Sequence, residues 1–197
     1  DAIYEYDSNL HILPGSMLNE RINPFKLREK IQKLKDLYDI IIIDSSPNLN
    51  NEILATMLAS DELFVVTSPD YPTLSCTMHA IKVAKERKTP ISGLILNKVR
   101  NKGFELTLDD IEKSTEVPIL AVLNDNIEVL EAVANTKPVV MHSPLSDVSV
   151  EYKKLAASII GEDYKDPRLL NRLFGLFNKR VKKPDINRNL LKEGKLN

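Results

Sequence analysis

The chain has 197 residues, 43% of them hydrophobic, and a formal net charge of −1, which suits one soluble domain with a sizeable core and an appendage. No stretch approaches ~18 consecutive apolar residues, so no membrane-spanning helix is expected, and no signal peptide is visible. The one cysteine, Cys76, rules out an internal disulfide and fits a reducing cytosol, and the three histidines at 11, 79 and 142 lack metal-ligand spacing.

The elements alternate along the chain. Leu10–Leu13 reads as a short strand ended by Pro14-Gly15. Asn23 caps a helix that has Pro24 at its first position and runs to about Leu37. Ile40–Ile43 continues as a β-branched run, read as a strand over 39–43 buried on both faces. Residues 52–59 read as a helix, 62–67 as a strand, and 73–87 as a helix with Leu74, Thr77, Met78, Ile81 and Ala84 at core spacing. A strand over 91–97, a helix over 107–114, a strand over 117–123 and helices over 127–135 and 149–160 follow. Strands and helices alternating at this spacing predict an α/β fold, a mostly parallel sheet with helices on both faces.

The segment Tyr38–Leu49, YDIIIIDSSPNL, carries the first chemical signal. Ligands of open α/β sheets bind outside the carboxyl ends of the strands. An apolar strand ending on Asp44 has the Walker B pattern, in which the carboxylate holds a Mg²⁺-bound water beside a nucleotide phosphate. The alternative is an Asp that caps the next turn. The phosphate-cradling loop G-x-x-x-x-G-K-[ST] is nowhere in the sequence, whose six glycines are widely separated. The sequence opens at Asp1 without Met, so two readings stand: a piece that lacks its front, or a protein that never had the loop.

YDIIIIDSSPNL, TSPDYPTLSCTMHAI (67–81), LILNKV (94–99) and VPILAVLNDNIEVLEAV (117–133) occur in an order and spacing that resemble the MinD/ParA family of deviant P-loop ATPases, nearest to its archaeal MinD-like members. The resemblance covers residues 1–161 as the carboxyl-terminal portion of the ATPase domain. It implies that the sequence begins after the phosphate loop and first switch, with on the order of 60–90 residues ahead of it. It implies ATP and Mg²⁺ as cofactors, with Asp44 as the catalytic, Mg²⁺-positioning carboxylate acting through water. Ser45, Ser46, Pro47 and Asn48 match the second switch, which senses the γ-phosphate. Asn97 matches the asparagine that reads adenine, because an amide pairs with both donor and acceptor edges. Lys98 matches a basic residue that stacks on the base, and Leu123, Asn124 and Asp125 match the turn that wraps it. The family usually has Pro-Glu where Asn124-Asp125 stand, which weakens that last match. Outside the resemblance, Asn97 reads as a turn cap and Lys98 as a solvated lysine. Asp70 reads as the shaper of the turn before the helix, and Cys76 as packing.

The second signal is the tail. From Lys165 onward ten Lys/Arg face three Asp/Glu, a net +7, which leaves −8 on residues 1–164. An acidic body with a basic tail points the tail at an anionic partner. After Asp166-Pro167, Leu169, Leu170, Leu173, Phe174, Leu176, Phe177 and Val181 share one arc of a helix, with Arg168, Arg172, Lys179, Lys182 and Lys183 opposite. This composition is that of an interfacial anchor for an anionic membrane, and it resembles the family's carboxyl-terminal targeting helix. The expected division is 162–183 as linker and amphipathic helix and 184–197 as flexible tail.

Three readings follow. The first is a MinD-like ATPase that dimerises with ATP, joins the membrane peripherally from the cytoplasm, meets an unidentified activating protein, and serves cell division or intracellular positioning. The second is a ParA-like partition ATPase whose tail binds DNA nonspecifically. Phosphate contacts need charge but no apolar stripe, so DNA fits the tail less well. The third is a non-catalytic scaffold module without a phosphate loop. The 197 residues alone are expected to be inactive and poorly stable, since the sheet would lack its central strand.

Overall fold

The computed structural model describes residues 3–15, 26–45, 51–168 and 182–195. It divides into two compact units, Asp1–Ala59 and Ser60–Asn197, and each is described by itself.

In the first unit, β1 (Tyr4–Glu5) pairs antiparallel with β2 (His11–Ile12). The Asp7 carboxylate closes the hairpin by accepting the backbone N–H groups of Asn9 and Leu10, each at 2.8 Å. β2 lies within the strand expected over Leu10–Leu13, whereas β1 carries no comparable sequence signal. His11 Nδ1 lies 2.8 Å from the Tyr38 hydroxyl, the two rings meeting edge-on. α1 (Leu27–Gln32) and α2 (Asn51–Ala59) complete the unit.

The strand expected over 39–43 is not formed. Residues 40–45 carry no ladder, and their exposure alternates, with Ile42 88% exposed and Ile41 and Ile43 half-buried. A strand of a parallel sheet exists through its neighbours' hydrogen bonds, and no described residue of this unit pairs with it. The β-branched run therefore does not become a sheet member among the described residues.

The second unit is built on three parallel strands in the order β3 (Leu63–Thr67), β4 (Ile91–Val99), β5 (Ile119–Asn124). Two apolar clusters cover the sheet. The larger joins Leu94, Leu96, Val99, Val117 and Ile119 to Leu74 and Ile81 of α3 (Tyr71–Glu86) and Ile111 of α4 (Leu108–Thr115). The other joins Leu120 and Ala121 to Leu155 of the helix Asp147–Ile159 and Leu191 of the last helix. Between these lie α5 (Ile127–Ala134) and α6 (Val139–His142), and α7 spans Asp147–Ile159. Crossover helices α3 and α4 connect successive strands, as expected from the sequence periodicity. Of the α3 residues at core spacing, Leu74, Thr77, Ile81 and Ala84 are buried and Met78 is 43% exposed. Cys76 is exposed and not a packing residue, because it lies on the outer side of α3.

The flexible tail expected over 184–197 is also corrected. Lys183–Lys192 form a helix, α8, with Pro184 in the first turn, Asp185 early and Lys192 late. Pro184 opens this helix and does not merely end the segment before it, since its fixed φ and missing N–H suit a first turn. α8 packs on β5 and α7 and buries Asn187 and Arg188.

Candidate functional site

The carboxyl ends of β3, β4 and β5 converge on one rim, where a parallel α/β sheet places its ligands. At β3, Asp70 caps α3: its carboxylate accepts the Thr73 N–H at 2.9 Å and the Ser68 hydroxyl at 2.5 Å. These bonds hold its pKa below the ordinary value, the Ser68 hydroxyl contributing most. Asp70 is thus a turn-shaping residue, as its position before the helix implied.

At β4 the ladder breaks. Leu96 pairs with Val122 and Val99 with Asn124, so three steps on β4 face two on β5. Asn97 and Lys98 occupy this bulge, and Lys98 has φ +56°. An extra residue re-aims side chains at the edge of a site, and the left-handed backbone of Lys98 is one of five such non-glycine positions among the described residues. Asn97 Oδ1 accepts the Lys98 N–H at 2.9 Å, which steadies the bulge and leaves one lone pair and both amide hydrogens for a ligand. Turn cap and base reader are therefore compatible roles for the same side chain.

At β5 the turn is stapled to the β4 exit. The Asp125 N–H donates to the Val99 carbonyl at 2.8 Å, Arg100 Nε donates to Asp125 Oδ2 at 2.8 Å, and Asn101 Nδ2 donates to Asn124 Oδ1 at 3.1 Å. The hydrogen bond to Asp125 raises the Arg100 pKa further. Glu105 accepts the backbone N–H groups of Arg100 and Lys102, which lowers its own pKa. The Leu106 N–H reaches Pro69 O at 3.0 Å, tying this loop to the β3 turn. Asn126 caps α5 by accepting the Glu128 N–H at 2.9 Å. The structure brings Asn97, Lys98, Asn124 and Asp125 together. Leu123 is 2% exposed and belongs to the core, so its side chain is not a wall of the site. Arg100, Asn101 and Glu105 were missed from sequence; the run Arg100–Gly103 reads only as a polar loop there.

Asp44 and Ser45 lie exposed in the first unit. Ser46, Pro47 and Asn48 fall outside the described residues. Among the described residues no group of three or more His, Cys, Asp or Glu could hold a metal. A lone carboxylate still fits Mg²⁺, which keeps most of its waters. The proposed anchor residues Leu169, Leu170, Arg172, Leu173, Phe174, Leu176, Phe177 and Lys179 also lie outside the described residues. The flanks of that stretch are described. Arg168 binds Asp166 and Asp147, and Lys183 binds Asp109 and Glu112 at 2.5 Å each. Neither cation is the free solvent-facing charge that the helical pattern suggested. No described helix is long and apolar enough to cross a membrane.

A family model described as an AAA domain matches residues 6–92. An uncharacterized ATP-binding protein of Methanocaldococcus jannaschii is 32% identical over 190 residues, covering 91% of this chain and 72% of that protein. The crystal structure of the cell division ATPase MinD of Pyrococcus furiosus superposes with a TM-score of 0.74 at 32% identity, covering 81% of this chain and 69% of that one. The chain belongs to the MinD/ParA family of P-loop ATPases. MinD of Pyrococcus horikoshii, solved with Mg-ADP, gives the same TM-score at 30% identity and covers 90% of this chain and 70% of that one. The chain spans 62% of a second ATP-binding protein of Methanocaldococcus jannaschii and 61% and 59% of the MinD proteins of Bacillus subtilis and Thermotoga maritima.

Proposed function

We propose that the protein is a nucleotide switch of the MinD type. Mg²⁺ and ATP drive its dimerisation and its attachment to an anionic membrane, and hydrolysis releases it, in cell division or intracellular positioning. The observation that carries this reading is the rim at β4 and β5. A bulge presents Asn97 and Lys98 beside a stapled turn bearing Asn124 and Asp125, in a chain whose relatives are MinD proteins and ATP-binding proteins.

In this reading Asn97 reads the adenine edge with its free amide hydrogens and remaining lone pair. Lys98 lies against the base, and Asn124 and Asp125 border it. The Val99–Asp125 hydrogen bond holds that turn against the β4 exit. Asp44 would hold Mg²⁺ through water, and Ser45, Ser46 and Pro47 would respond to the γ-phosphate. Mg²⁺, when bound, would supply charge neutralisation to the phosphates. The apolar side of 169–181 enters the lipid interface, with Arg172 and Lys179 at the headgroups. One such segment binds weakly, and ATP-dependent pairing would double it, which makes attachment depend on nucleotide.

The test is co-sedimentation of the protein at its full natural length with anionic liposomes, with and without ATP. The comparison variant carries Phe174→Glu and Phe177→Glu, which spare α8. ATP-dependent pelleting lost in the variant supports the reading. Absence of pelleting in every nucleotide state removes the membrane step, and pelleting with DNA instead moves the tail to nucleic acid.

A further inference from the structure

α8 places two polar side chains inside the second unit: Asn187 is 9% and Arg188 5% exposed. Asn187 Nδ2 donates to the Ile119 carbonyl and to Glu112 Oε1, each at 2.8 Å. Arg188 Nη1 donates to the Leu120 carbonyl at 2.8 Å and to Glu151 Oε1 at 2.6 Å, and its Nη2 binds Asp185. Glu112 also accepts the Ile119 N–H at 2.7 Å. Four elements, α4, α7, α8 and β5, therefore meet at the first two residues of one strand. Burying a guanidinium costs free energy that an apolar side chain of similar volume would not, so hydrogen-bond direction is what this pair adds.

β5 has a use for that direction. Its ladder with β4 shifts register twice, between Leu94 and Ile95 and between Leu96 and Val99. Each bulge bends the strand that carries it, so the course of β5 depends on what holds it beside the ladder as well as on the ladder itself. β5 is also an outer strand among the described residues, with no further strand to fix it. Its far end, four residues or ~13 Å beyond Leu120, carries Asn124 and Asp125.

We propose that Asn187 and Arg188 are positioning residues for the base-binding turn: by gripping the Ile119 and Leu120 carbonyls they fix the register of β5 and so the placement of Asn124 and Asp125. This rests on the reading of that turn as the adenine border.

The experiment uses the protein at its full natural length with Asn187→Leu, Arg188→Met and Arg188→Lys. Hydrogen exchange is followed by mass spectrometry, and binding of Mg-ADP by calorimetry. In the Leu and Met variants, exchange over 119–125 accelerates while β3 and α3 stay protected, and ADP affinity falls about tenfold, the scale of an ordinary coupling between sites. Arg188→Lys, which keeps one donor, recovers part of both. Unchanged exchange at 119–125 and unchanged affinity, with 183–192 exchanging freely, overturn the proposal and leave α8 as packing. If either apolar variant fails to fold, Asn187→Ala supplies the graded change, and wild-type affinity and exchange in that variant overturn the proposal equally. If the unmodified protein binds no adenine nucleotide, the base-turn reading falls, and the exchange measurement still decides the register clamp.

Discussion

Substitution of Gly93 tests the packing on which the rim stands. Gly93 lies buried in β4, opposite Phe64. A Cβ built there meets the Pro118 carbonyl oxygen at 3.0 Å, Leu120 Cδ1 at 2.5 Å and Leu120 Cγ closer still. Leu120 is fully buried against Ala121 and Leu155, so it has nowhere ready to go. Restoring ordinary carbon contact near 3.5 Å requires a retreat of about 1 Å. Overpacking of this kind costs about 1–3 kcal/mol. Replacing a strand glycine by alanine returns about 0.5–1 kcal/mol through the unfolded chain. Gly93→Ala should therefore destabilise by about 1–2 kcal/mol, a fall in Tm of about 3–6 °C for a domain of this size. The assay is thermal unfolding by circular dichroism of the full-length protein, run as a cycle with Leu120→Ala. Leu120→Ala alone costs about 2–5 kcal/mol. In the double variant the methyl enters the vacated space, so the two losses should sum to less than their separate values by about 1 kcal/mol. A stabilised Gly93→Ala, or strict additivity with Leu120→Ala, refutes the close approach of β4 to β5.

Asp70→Ala should remove the α3 cap at a cost of about 1 kcal/mol. The Asp70 pKa is lowered in the folded protein, so its stabilisation is present above the ordinary value of 3.8 and is lost as pH falls through the lowered one. The gap between variant and wild type, measured by urea unfolding, should accordingly be widest near neutrality and close in acid. Arg100→Ala breaks an exposed, solvent-screened pair and should leave stability nearly unchanged. It should still weaken Mg-ADP binding, and the reversed pair, Arg100→Asp with Asp125→Arg, should regain part of the affinity in calorimetry. Asp44→Ala should leave nucleotide binding largely intact and reduce Mg²⁺-dependent phosphate release by at least about a hundredfold, the scale of losing one electrostatic stabiliser. A variant that hydrolyses ATP at the wild-type rate removes Asp44 from the Mg²⁺ role.

The crossover architecture was legible in sequence because the strands and helices of the second unit carry their own periods, and α3, α4, α5 and α7 each open on a side-chain cap, Asp70, Thr107, Asn126 and Ser146. Residues 39–43 misled for a physical reason. Four isoleucines report a β-branched preference for extended backbone, whereas membership in a sheet depends on partners elsewhere in space. Asn97 and Lys98 were visible as a motif, yet the bulge that aims them was not, since it arises from the β5 register. Asn187 and Arg188 looked like a polar tail. Their burial follows from acceptors supplied by Glu112, Ile119, Leu120 and Glu151, all at least 37 residues away in sequence. Pro184, Asp185 and Lys192 did carry start and stop signals for that helix, although its charge suggested solvent.

The proposed function stands or falls with adenine binding at the β4–β5 rim. Calorimetric titration of the full-length protein with Mg-ATP and with Mg-GTP, beside Asn97→Ala, tests it most directly. An adenine site gives saturable ATP binding, at least about tenfold weaker GTP binding, and loss of that preference in Asn97→Ala, since a hydrogen-bonding site rejects an edge it cannot pair. Equal binding of both nucleotides, or an Asn97→Ala variant with wild-type preference, would contradict it.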